Sequence, residues 1–196
     1  MRPKFILASG SPRRRAFFEE LGWDFEVQAA QVTEDVIPDE APQDMVRRLA
    51  EAKAADVYHK NEGRWVVGAD TTVVIDGKIL GKPGDKEDAR RMISMLQGKT
   101  HTVMTGVAVI DPEGRGVSAV EKTDVTFRPM TEGEVTAYVD TGESMDKAGA
   151  YAIQGHGTLL VERVAGCYFN VVGLPLERLS ELLTELGWPL SDQWRV

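Results

Sequence analysis

The chain has 196 residues, 42% hydrophobic and 28% charged, with 31 acidic against 23 basic side chains and a formal net charge of −8. That balance excludes broad electrostatic binding to nucleic acid or to an anionic membrane, so any bound anion must be held by a local cluster of positive groups. The length suits one large domain or two small lobes sharing a sheet.

Lys4 to Ala8 reads as a short buried strand, and Ser9-Gly10-Ser11-Pro12 follows it. Ser11 suits an N-cap and Pro12 a first helical position. The helix predicted from there to about Leu21 buries Ala16, Phe17 and Leu21. Arg13-Arg14-Arg15 fall in its first turn, where cations oppose the helix dipole. A strand, a Ser-Gly loop, free backbone N–H groups and clustered arginines make an anion site, although a solvated basic turn has the same composition. The glycine and lysine spacing of the Walker pattern is absent.

Phe25 to Ala29 is a second strand candidate, and Gln31 to Glu40 a polar connection containing Glu34 and Asp35. Pro42 opens a helix reaching about Tyr58, with Val46, Leu49, Lys53 and Val57 on one stripe. Lys53 on that apolar face either snorkels to solvent or points into a cleft.

Trp65 to Pro83 is the organising stretch. Val66-Val67 and Thr72 to Ile75 are β-branched runs. Gly68-Ala69 permit close approach by backbone or ligand, and Asp76-Gly77 signals a two-residue hairpin. Asp70 interrupts an apolar sheet, a costly place for a charge without a partner. The hairpin returns Lys82 toward the same end, so Asp70 and Lys82 read either as a structural ion pair or as parts of a site.

Asp85 caps a helix over Lys86 to Leu96, which Gly98 stops. Thr100 to Ile110 is the longest strand candidate, and Val117 to Phe127 returns antiparallel after the Asp111–Gly114 turn. Thr131 and Glu134 form a capping box for a helix to about Asp140. In the small-residue stretch Asp146 to Gly157, Gln154 is either a satisfied turn residue or a reader of a base edge, because its amide both donates and accepts. His156, between two glycines, reads as a loop residue. Leu159–Val161 and Asn170–Val172 are strand candidates, and Leu176, Leu179, Leu183 and Leu186 line a last helix. Trp188 and Trp194 could cover a subunit contact, which leaves a homodimer open.

Alternating strand and helix patterns with hairpin signals in the middle predict an α/β fold. Its mixed, elongated central sheet is flanked by helices, with two lobes around a cleft. The lone cysteine, Cys167, excludes an intrachain disulfide. No run approaches a membrane span and no signal-peptide pattern is seen, so a cytoplasmic location is expected. The candidate cations are Arg13, Arg14, Lys53 and Lys82 and the candidate carboxylates Glu34 and Asp70; three or four cations plus a divalent metal match a nucleoside triphosphate of roughly −4 charge. Carboxylate oxygens beside phosphates suit Mg²⁺ or a similar divalent ion. The residues alone reach a phosphate-ester or nucleotide site.

Leu7-Ala8-Ser9-Gly10-Ser11-Pro12-Arg13-Arg14, Val67-Gly68-Ala69-Asp70-Thr71, Gly81-Lys82-Pro83 and Asp146 to Gly155 resemble the signature segments of the Maf family. Asn170 to Pro175 resembles its last block. The resemblance spans residues 5 to 186. It implies a single Maf-like domain over 1–196, a fold like that of inosine triphosphate pyrophosphatases, and hydrolysis of a nucleoside triphosphate to the monophosphate and pyrophosphate with Mg²⁺ or Mn²⁺. It implies Asp70 as the catalytic carboxylate and Ser9, Arg13, Arg14, Lys53 and Lys82 as polyphosphate contacts. It also implies Glu34 sharing the metal with Asp70. Thr71 and Gln154, with Arg13, resemble the branch acting on dTTP and UTP. A non-catalytic nucleotide-binding regulator of cell division, and the same chemistry on another base such as 7-methyl-GTP, are the alternatives.

Overall fold

A computed structural model describes residues 3–35 and 37–195. Its strands are β1 (Lys4–Leu7), β2 (Asp24–Val27), β3 (Trp65–Ile75), β4 (Lys78–Leu80), β5 (Thr100–Ile110), β6 (Gly116–Phe127) and β7 (Val161–Ala165). They form one sheet in the order β2-β1-β3-β5-β6-β7, with β4 paired to β3. β1 runs parallel to β2 and to β3, whereas β3–β4 and β6–β7 are antiparallel. The sheet is therefore mixed, and the fold is α/β as the alternating patterns predict.

The chain divides into two compact units. The first comprises Met1–Asp70, Thr105–Glu121 and Gly173–Val196, and the second Thr71–Met104 and Lys122–Val172. Each has its own core.

In the first unit, Ile6 and Phe5 are adjacent on β1 and so point to opposite faces. On the Ile6 face, α2 (Pro42–Tyr58) packs Ala50, Ala54 and Val57 against Ile6, Ala8, Val66 and Ala108. Two glycines allow this contact. A Cβ on Gly68 would collide with the Ala50 carbonyl and Ala54, and one on Gly106 with the backbone of Val46 and Arg47. The space beside Gly68 is thus taken by a helix. On the other face Phe5 meets Phe18, Trp23 and Trp188, with ring centroids 5.8, 5.3 and 5.3 Å away. That aromatic group corrects one expectation. The helix α1 (Pro12–Glu20) buries Phe17 and Phe18, while Ala16 is exposed and Leu21 half-buried. Trp188 packs inside its own chain, leaving Trp194 exposed. Gln193 in the short helix α7 (Leu190–Gln193) is buried because its amide bonds Ser180 and Trp188. Between α1 and α7 in the chain lies the leucine-lined α6 (Leu176–Glu185), with Leu179, Leu182 and Leu183 buried.

In the second unit, Asp76 and Gly77 both take positive φ, 49° and 73°, as the tight turn between β3 and β4 requires. Val73, Ile75 and Leu80 from that hairpin join Ala89, Met92, Ile93 and Leu96 of α3 (Lys86–Leu96). Val103, Val125 and Phe127 complete the layer, with Val135, Tyr138 and Val139 of α4 (Glu132–Asp140). Asp85 accepts from the Asp88 amide, and Thr131 and Glu134 form the expected capping box. Side-chain bonds join Thr100 to Thr126 and Thr102 to Asp124. The partners advance in opposite senses, as antiparallel neighbours do. Two strand expectations fail. Asn170–Val172 belongs to the helix α5 (Tyr168–Val172), where the Asn170 amide donates to Val103 O and Thr123 Oγ1. Leu159–Leu160 ends a 3₁₀ helix, Gly155–Leu160, and the strand begins only at Val161. Among the described residues, no helix is long and apolar enough to cross a membrane.

Candidate active site

The site in the first unit grows out of two adjacent parallel strands. β1 ends at Leu7, and the Ala8 amide still donates to Val67 O of β3 at 2.8 Å. The chain then turns through Ser9 into α1. Ser11 occupies the N-cap, but its side chain makes no capping bond, and no acidic residue lies in the first turn. Its amide instead donates to Ser9 Oγ at 3.3 Å.

Arg14 ties these segments together. Its Nε donates to Gly173 O at 2.7 Å, and its Nη1 donates to Ser9 Oγ at 2.9 Å and to Ala69 O at 3.0 Å. The guanidinium therefore holds the residue before Asp70 in place. Burial lowers its pKa to about 10; Asp70 and Glu34 oppose that shift and Arg13 adds to it. Arg14 remains charged at neutral pH. These mutual influences also set Arg13, half-buried in the first turn, in the same electrostatic neighbourhood.

Asp70 is 9% exposed. Its Oδ1 accepts from Lys53 Nζ at 2.7 Å, and the same ammonium donates to Glu34 Oε1 at 2.6 Å. Lys53 reaches this point because Val46, Leu49 and Val57 seat α2 on the sheet, and Gly68 lets the helix come close. Its side chain is only 15% exposed, so it points inward and does not snorkel. Of the sequence-predicted residues, the structure brings Ser9, Arg13, Arg14, Glu34, Lys53 and Asp70 together in this unit.

Lys82, Thr71 and Gln154 belong to the second unit. Lys82 is exposed just after β4, beside Gly81, whose carbonyl accepts from the Gly149 amide at 3.0 Å. Thr71 is half-buried on β3, and Gln154 is exposed immediately before the 3₁₀ helix.

Two residues escaped the sequence reading. Arg48 grips Glu40 through Nε and Nη2 at 2.6 and 2.7 Å and also donates to Asp35 O at 3.2 Å. It anchors the acidic connection that carries Glu34, and it holds the Glu40 carboxyl below its usual pKa. Arg48 lies on the polar side of an amphipathic helix, where periodicity marks it only as solvated. The Glu143 carboxylate in the second unit accepts from Tyr138, His156 and Gly157 and had no motif to flag it.

Among the described residues no three His, Cys, Asp or Glu side chains gather as a metal cluster. Glu34 and Asp70, sharing one ammonium, are a two-carboxylate oxygen set. That set fits Mg²⁺, which binds through one or two carboxylates together with substrate phosphates and water.

The family model described as "Maf-like protein" matches residues 4–186. A relative in Acetivibrio thermocellus, called dTTP/UTP pyrophosphatase, is 50% identical over 94% of this chain and 96% of its own. One of the same description in Geobacter metallireducens is 49% identical over 94% of this chain and 96% of its own. Among solved structures, a HAM1 protein from Coxiella burnetii superposes with a TM-score of 0.49 at 14% identity, over 93% of this chain and 99% of that one.

Proposed function

This chain belongs to the Maf-like family, and on that premise we propose that it hydrolyses dTTP and UTP to the monophosphate and pyrophosphate. The observation that carries the reading is a nearly buried carboxylate, Asp70, held by Lys53 in a neighbourhood of two arginines and a second acid. A pure binding site for a polyanion has no use, other than to hold a metal, for carboxylates aimed among its cations, since they repel phosphate. A hydrolase does, because a water must lose a proton as it attacks.

In this reading a water oxygen attacks the α-phosphorus and the bond from that phosphorus to the bridging oxygen breaks. Pyrophosphate leaves with the bonding pair, and the water's proton passes to Asp70. Lys53 bonds both Asp70 and Glu34 and offsets one of their two negative charges before substrate arrives, and it offers its ammonium to phosphate afterwards. Arg13 and Ser9 contact the polyphosphate. Arg14, with donors committed to Gly173, Ser9 and Ala69, contributes mainly charge and the placement of the Asp70 strand. Lys82 is assigned to phosphate, and Thr71 and Gln154 to the pyrimidine. Glu34 and Asp70 would hold a divalent cation, Mg²⁺ or Mn²⁺, which supplies neutralisation of phosphate charge when bound. These roles are positioning and electrostatics rather than covalent chemistry. The absence of a disulfide-forming cysteine pair suits work in the reducing cytoplasm.

The test is to incubate the purified protein with Mg²⁺ or Mn²⁺ and a panel of nucleoside triphosphates and to assay pyrophosphate. Release from dTTP and UTP ahead of purine nucleotides supports the reading. Binding without release makes the protein a nucleotide-binding regulator instead.

A further inference from the structure

Glu143 lies three residues beyond α4 and is half-buried. Its Oε2 accepts from the Tyr138 hydroxyl at 3.1 Å and from the Gly157 amide at 2.9 Å, and its Oε1 accepts from the His156 amide at 3.0 Å. Those two amides open the 3₁₀ helix Gly155–Leu160, whose N-cap residue is Gln154. A helix start leaves such donors without partners, and the N-cap side chain ordinarily supplies the acceptor. Here Gln154 makes no capping bond and its side chain is exposed. A remote carboxylate takes over the cap and leaves the Gln154 amide available to a ligand.

The neighbouring backbone is fitted around that carboxylate. Gly155 has φ of 66°, and a Cβ there would collide with Glu143 Oε1. A Cβ on Gly157 would collide with the Ala152 carbonyl. The Tyr138 hydroxyl also accepts from the Ala152 amide at 3.3 Å, so the chain is fixed on both sides of Gln154 by one Tyr138–Glu143 pair. The Glu143 carbonyl accepts from Lys147 Nζ at 2.7 Å, which anchors the start of the same segment.

We propose that Glu143 is a positioning residue for nucleobase recognition: its carboxylate fixes the backbone at 155–157 so that the Gln154 amide meets the polar edge of a pyrimidine in one orientation. The inference rests on the assignment of Gln154 to the base given above. An amide held in one orientation presents its donor and its acceptor in a set order, and a loosened one presents either. Glu143 therefore acts on discrimination through Gln154 without touching substrate.

Glu143→Gln keeps the size of the side chain but replaces one acceptor oxygen by a donor that opposes a backbone N–H. kcat and KM are measured for dTTP, UTP and a purine triphosphate, alongside Gln154→Ala and the double variant. The expected result is a fall of at least about tenfold in the pyrimidine-over-purine ratio of kcat/KM, larger in KM than in kcat, with no further fall in the double variant. A Glu143→Gln protein that keeps the ratio while Gln154→Ala loses it overturns the role of Glu143 and leaves that of Gln154 standing. A Gln154→Ala protein that keeps the ratio removes the base assignment, and this inference with it. If Glu143→Gln does not fold, Tyr138→Phe, which deletes one donor to the carboxylate, is expected to lower the ratio about threefold; an unchanged ratio overturns the proposal.

Discussion

Lys53 Nζ lies 2.7 Å from Asp70 Oδ1 and 2.6 Å from Glu34 Oε1, so one ammonium serves two carboxylates from different segments. Asp70 is fixed by a strand and Glu34 is carried by an exposed connection, and the lysine joins them. Lys53→Met removes the cation and leaves the Asp70 carboxylate nearly buried without its partner. The expected cost is roughly 1–3 kcal/mol of stability, together with a KM for nucleotide raised about tenfold or more. Chemical denaturation and initial-rate kinetics check both.

Thr71 follows Asp70 directly on β3 and is half-buried. Thr71→Gln puts a longer, amide-bearing side chain at a position assigned to the base and leaves the groups assigned to phosphate unchanged. The substrate profile is expected to shift away from dTTP and UTP by more than the total rate falls, read from kcat/KM over a nucleotide panel. An unchanged profile removes Thr71 from specificity.

The seating of α2 makes a prediction that does not depend on substrate. Gly106→Ala forces a methyl into the backbone of Val46 and Arg47, and Gly68→Ala into that of Ala50 and Ala54. Backbone cannot give way as a flexible side chain does. Each is expected to cost about 1–3 kcal/mol or more in unfolding free energy. Gly68→Ala should also lower activity at temperatures where the protein stays folded, because it displaces the helix that carries Lys53.

The sequence made the elements of this fold readable where a local rule was strong. The capping box at Thr131, the cap at Asp85 and the Asp76-Gly77 turn are each set by residues within a few positions, and all three form. The stripe of Val46, Leu49 and Val57 placed Lys53 on the inward face. What failed depends on distant partners. Asn170–Val172 has strand-like residues, but the Asn170 amide is drawn to Val103 and Thr123, and the segment is helical. Ala16 and Leu21 lost their predicted burial to Phe18, because Phe5 and Trp23 supply an aromatic surface that periodicity cannot reveal. In the site, the charged residues were legible as types. That Arg14 binds backbone carbonyls, and that Glu143 caps a helix beginning twelve residues later, follows only from packing.

His101 offers a pH test separate from catalysis. It is 2% exposed, its Nε2 lies 2.7 Å from the Tyr151 hydroxyl, and its ring meets Phe127 and Tyr151 edge-on. Burial lowers its pKa from 6.5 to about 4, with Asp124 opposing the shift. The unfolded chain binds this proton more readily than the folded one. The contribution of His101 is therefore fully present above about pH 6.5 and is lost as pH falls through about 4, by on the order of 3 kcal/mol, and is regained as pH rises. A neutral replacement, His101→Gln, should flatten that part of the stability–pH curve even if it lowers the whole of it.

Single-turnover pyrophosphate release tests whether Asp70 takes the proton of the attacking water. Wild type and Asp70→Asn are compared on dTTP with Mg²⁺ or Mn²⁺ present, after thermal unfolding confirms that the variant is folded. If Asp70 is the proton acceptor, the release rate falls by at least about 100-fold in the variant, with dTTP still bound. A folded Asp70→Asn protein that releases pyrophosphate at close to the wild-type rate contradicts it.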